Sequence, residues 1–307
     1  MCFTQRITGG MFALCFGTAA VLTRRGRPWR QTQLFYVFAA MELLQYLQHM
    51  VVDDCSSRLN FWTTLLSYAH ICFQPLSICV YAFRTEPNRD VAKFVQLSAA
   101  FAGVLALLRV PYLGIGFLPA SLRAILPGLP DPSLAGSACD WEWCCGPRTC
   151  TTTGKLHLAW EVPLLPPSYF LPSGTFHFLF IFGPLLLAPG QFTKHRRAMA
   201  ALLLATGPFV AQAATYAAND GDPRWQLEWA GVWCLFSAAQ CVIALAYEYF
   251  NHISEENFAP GTPQYDDYIS KVRAGKLWSL RPADWAAAGG GGGGSGTNGV
   301  MNGKKAE

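Results

Sequence analysis

The stretch "MELLQYLQHMVVDDC", residues 41–55, sets Glu42, Gln45, Gln48 and His49 among leucines and methionines, then ends on an acidic pair. Its reading decides the fold. Either it is one amphipathic helix of a soluble domain, or it is a membrane span with a polar face turned inward. Composition settles the choice. Only 14% of the 307 residues are charged and 52% are hydrophobic, with 21 Phe and 10 Trp. Soluble domains carry about 25% charged residues. The chain reads as an integral membrane protein whose first partner is the lipid bilayer. A net charge of +4, dispersed along the sequence, argues against a nucleic-acid partner.

Apolar runs predict seven spans, near 7–23, 32–53, 60–83, 93–117, 172–190, 198–218 and 228–248. A span needs roughly 20 residues, so the fold class is all-α, a polytopic bundle of about seven transmembrane helices. The connections give the orientation. Arg24, Arg25, Arg27, Arg30, Arg84, Arg89, Lys93, Lys194, Arg196 and Arg197 fall in or beside alternate loops, whereas "VVDDCSSRLN" and "ANDGDPRW" are acidic or mixed. Basic residues near span ends stay cytosolic, which puts the N-terminus outside and the C-terminus in the cytosol. Residues 1–250 form the seven-span domain, with 118–171 as a Cys-rich outer loop. Residues 251–307 form a cytosolic tail with a Gly-rich linker. Arg109, near the end of the fourth span, is expected to snorkel to the interface, and Glu228 to sit at the outer interface of the seventh.

Cysteines fit this arrangement. Cys55, Cys139, Cys144, Cys145 and Cys150 share the outer side, where disulfides persist. Zinc competes for "CDWEWCC", but that spacing lacks a clean pair of C-x-x-C knuckles. Disulfides are the favoured reading, with connectivity left open. The tail ends in "KKAE", and Lys304 and Lys305 stand where a dilysine retrieval signal would. Coat machinery is therefore an expected partner, and the endoplasmic reticulum or another endomembrane the expected location.

Polar residues inside the spans are the candidate site. Glu42 lies about 16 Å into the second span at 1.5 Å per residue, close to mid-bilayer. Glu42, Gln45 and His49 share one helical face, while Gln48 points elsewhere. In the third span Ser67, His70, Gln74 and Ser77 also share a face. Ionisable groups at that depth face a bundle interior or a water-filled cavity, and consecutive spans are usually neighbours. We therefore expect Glu42 and His70 to pair, with Gln45 and Gln74 completing a ligand site. The bland alternative is that these groups only tie helices together, at roughly 0.6 kcal/mol per bond. A metal site would need about three of Glu42, His49, His70 and His177 to converge. Trp233, Ser237 and Gln240 form one face of the seventh span.

"MELLQYLQHMVVDDC" with "YAHICFQP" resembles an uncharacterised family of seven-span membrane proteins from algae and large viruses, over residues 10–250. The resemblance implies the helical membrane fold and no activity. The leading functional expectation is binding or transport of a small polar solute, ion or proton. An intramembrane zinc-dependent amidase, similar to the alkaline ceramidases, is the enzyme alternative. Glu42, Ser67 and His70 could serve it, but the seventh span lacks an H-x-x-x-H pair. A structural or assembly role is the third reading.

Overall fold

In the computed structural model, the described residues are 4–83, 89–113, 130–168 apart from 138, 140 and 141, and 209–235, with scattered single positions that include Cys241. The expected fifth span, His177, Ser237, Gln240 and the tail lysines lie outside them. Four long helices come first: α1 Gln5–Arg24, α2 Trp29–Gln48, α3 Arg58–Ala82 and α4 Arg89–Leu108. Short connections fold each back on its predecessor, and each packs on the next in chain order. Among the described residues, α1, α3 and α4 are long and apolar enough to cross a membrane. α2 is as long as α1 but falls outside that group, because Gln31, Gln33, Glu42, Gln45 and Gln48 dilute its apolar content. All five of those side chains are buried. The polar positions therefore point into protein rather than lipid.

Local sequence accounts for the helix ends. Ser57 caps α3 by accepting from the Asn60 backbone N–H, satisfying one of the donors that the first turn leaves open. Pro28 precedes α2 in extended backbone. Inside α3, Pro75 lacks the N–H that would reach the Ile71 carbonyl, yet the helix continues through it. α3 and α4 approach closely at Gly103, where an added Cβ would lie 2.7 Å from the Cys72 carbonyl oxygen.

The described residues are mostly helical, as the all-α expectation has it, and the loop after α4 adds a small element of sheet. It carries a two-stranded antiparallel hairpin, β1 Cys150–Thr153 and β2 Leu158–Glu161, with Thr151 opposite Trp160. The hairpin packs on α3 and on α6, Trp225–Leu235, which follows α5, Val210–Ala218. Trp160 is fully buried there, and Trp143 meets Trp229 edge-on at 4.9 Å between ring centres.

Arg109 corrects an expectation. It does not snorkel: its Nη1 donates to Glu142 at 2.6 Å, and Nε and Nη2 both donate to the Leu165 carbonyl at 3.0 and 2.7 Å. The Leu165 N–H returns a bond to the Arg109 carbonyl at 2.7 Å. Both charged side chains are buried, so the loop is pinned where α4 ends.

Cysteine pairing is now specific. Cys55 bonds to Cys150 and Cys139 to Cys145, each with Cα atoms 5.2 Å apart. Cys144, grouped with them from sequence, is a free and buried thiol. We expect non-reducing peptide mapping to recover those two links with Cys144 unpaired. Cys55→Ser should cost about 2–4 kcal/mol, since its bond closes a long loop. A map with Cys144 cross-linked would contradict this pairing.

Candidate functional site

The two faces of α2 do different things. On one, Gln45 and Gln48 reach into the hairpin and α6. The Gln48 amide donates to Ser67 Oγ at 3.0 Å and accepts from Trp160 Nε1 at 3.2 Å. Gln45 donates to the Gly231 carbonyl and meets His157 Nε2, each at 3.1 Å. Gly231 is required there, because an added Cβ would sit 2.5 Å from the Leu158 carbonyl oxygen. Glu228, expected at the outer end of the seventh span, sits against the turn of the hairpin. Its Oε1 accepts from the backbone N–H groups of Leu156 and His157, and its Oε2 from Asn219 Nδ2 at 2.9 Å.

Further along the same end, Asn60 donates to the carbonyls of Val51 and Thr151 and accepts from the Thr151 N–H at 2.7 Å. Asp53 accepts from Thr153 N–H and Oγ1. Sequence reasoning did not single out Asn60, Thr151, His157 or Asn219. Their only signal is that each is polar, and it is drowned among the polar residues of ordinary loops.

His157 is 1% exposed and its ring lies 5.5 Å from that of His49. Burial, reinforced by the neighbouring His49, lowers its pKa to about 3. It is therefore neutral at physiological pH, and a socket rather than a charge.

The opposite face of α2 lines a groove of about 510 Å³ against α3. Val37, Ala40, Leu44 and Leu47 form one wall, and His70, Phe73, Gln74 and Ser77 the other. His70 is the central residue of the 25-residue α3. Its Nε2 is buried without a hydrogen-bond partner among the described residues, and so are both amide atoms of Gln74. Gln74 is only 1% exposed. A buried polar group left without a partner costs about 1–3 kcal/mol, so three such atoms lining one groove call for an explanation.

The expected Glu42–His70 pair is not formed. The Gln48–Ser67 bond sets the register of the two helices and brings Glu42 close to His70 in depth. At 100° per residue, however, Glu42 falls on the side of α2 opposite Ala40, Leu44 and Leu47. It is fully buried on the α6 side, within electrostatic reach of Cys234 and Cys241. The three proposed metal ligands that are described separate for the same reason: Glu42 faces α6, His49 meets the hairpin and His70 lines the groove, while His177 lies outside the described residues. Among the described residues no three His, Cys, Asp or Glu side chains converge as a metal site. The Ser67 hydroxyl, offered for amidase chemistry, is held by Gln48.

Residues 6–252 match a family profile, and the chain belongs to that family, the family of unknown function DUF5765. Comparison with curated proteins and with solved structures gives no match.

The His157 socket has a pH signature. Its folded pKa lies below the ordinary 6.5, so between these values the unfolded chain binds a proton that the folded chain refuses. Stability must then fall as pH falls through 6.5. Wild-type protein in detergent should lose about 1 kcal/mol between pH 6.5 and 5.5 from this residue. His157→Gln should melt lower at pH 7.5 but lose less over that interval. Equal losses in both proteins would show that His157 is not buried neutral.

Proposed function

We propose that this chain is a seven-span membrane protein that binds a small molecule through a polar group held by His70 and Gln74. The observation that carries the reading is the set of three buried polar atoms, without a partner among the described residues, that line one groove. Gln45 is reassigned from the ligand site to the hairpin clamp, since its amide is satisfied on both sides. Ion or proton handling by a Glu42–His70 pair loses its geometric basis, because the two face apart.

The proposed topology keeps the N-terminus and the hairpin outside, or in the lumen, and the tail in the cytosol. Two disulfides in the hairpin region support that side, because such bonds persist in oxidising compartments. Residence in the endoplasmic reticulum and an encounter with coat machinery through Lys304 and Lys305 remain part of this reading, on the sequence alone.

Stability separates a ligand site from structural glue. A glue residue makes bonds, so removing it destabilises. A site residue waits for a ligand, so removing it relieves a cost. Gln74→Leu should therefore raise the melting temperature of purified, delipidated protein, by the equivalent of about 1 kcal/mol or more. A lowered melting temperature would mean that Gln74 is bonded in the bundle, and would end the proposal.

A further inference from the structure

We infer that the molecule held in this groove is a single-chain lipid with a neutral hydroxyl head, entering sideways from the bilayer. The inference rests on the binding reading above and names its ligand class. Shape is the first argument. Val37, Ala40, Leu44 and Leu47 run along one face of α2 over residues 37–47, about 15 Å at the helical rise. The groove is thus a long trough, and its volume of about 510 Å³ falls in the ordinary range for small-molecule sites.

Position is the second. Leu43 and Leu66, which also line the groove, are 41% and 52% exposed. The trough opens laterally, through apolar side chains, at the depth of the α3 midpoint. An opening there meets acyl chains rather than water, so a solute must arrive dissolved in lipid.

Chemistry is the third. No Asp, Glu, Lys or Arg is among the described residues that line the trough. A phosphate or ammonium head would be unpaired at that depth, which is costly. A hydroxyl fits what the walls offer. It has one proton to donate and two lone pairs. It can accept from the Gln74 amide N–H₂ and donate to His70 Nε2, so one small group answers two of the three orphaned atoms, one on each side chain. Its chain would lie along the leucine wall of α2.

The test uses hexadecanol carrying a photoreactive diazirine, with the full chain reconstituted in phosphatidylcholine vesicles. Irradiation should label peptides covering 37–47 and 66–77, and excess unlabelled hexadecanol should abolish the labelling. Gln74→Leu should reduce labelling about fivefold, the loss of roughly one hydrogen bond, while Lys155→Ala, a change at an exposed residue of the hairpin outside the trough, should leave it unchanged. Labelling that persists in Gln74→Leu, or that a photoreactive sterol or palmitate gives more strongly, overturns the inference. So does absence of labelling. If Gln74→Leu nonetheless raises the melting temperature, only the ligand class is wrong; if it lowers it, the site itself falls.

Discussion

The structure depends on the polar clamp between the helical bundle and the 150–161 hairpin. Asn60 bonds both backbone groups of Thr151, Gln48 holds the Trp160 indole, and Gln45 meets His157. The Cys55–Cys150 bond ties the same two elements covalently. Each hydrogen bond contributes about 1 kcal/mol net, but leaving one of these buried partners unsatisfied costs more. The clamp is therefore strict in its geometry. Trp160 cannot bury beside α2 unless Gln48 receives its N–H.

From this clamp the division of labour on α2 follows. Gln33 reaches α3, donating to the Ser77 carbonyl at 2.9 Å, but from Val37 to Leu47 the polar side chains Glu42 and Gln45 lie toward the hairpin and α6 and leave the other face apolar. That other face, from Val37 to Leu47, meets the one segment of α3 whose polar groups have no described partner. The clamp fixes the rotation of α2 about its own axis. By doing so it turns Glu42 away from His70 and leaves His70 and Gln74 with the groove.

Much of the fold was legible in the sequence. Four helices appear where the first four spans were expected, the first three within five residues at either end, because continuous apolar runs of that length have few alternatives; the fourth ends at Leu108, nine residues short of the expected 117. The shared face of His70, Gln74 and Ser77 was readable from helical spacing. Two things were not. A helical period says which residues of α2 share a face but not which way that face turns, and only the hairpin contacts decide it. The hairpin itself is short, with four-residue strands held by Asn60 and Asp53 from distant positions. Nothing in "CTTTGKLHLAWE" distinguishes it from a loop until those partners are known. Likewise Arg109 reads as a snorkelling residue until Glu142, 33 positions on, is seen beside it.

Coupling between Gln48 and Trp160 tests the clamp most directly. Gln48→Met, Trp160→Phe and the double variant would be compared by stability in detergent, as a double-mutant cycle. The account predicts that the double variant is more stable than the two separate losses imply, by about 0.5–1.5 kcal/mol, because the same hydrogen bond is lost in each. Simple additivity would show that the hairpin does not seat on α2 through this bond, and the rotation that separates Glu42 from His70 would lose its cause.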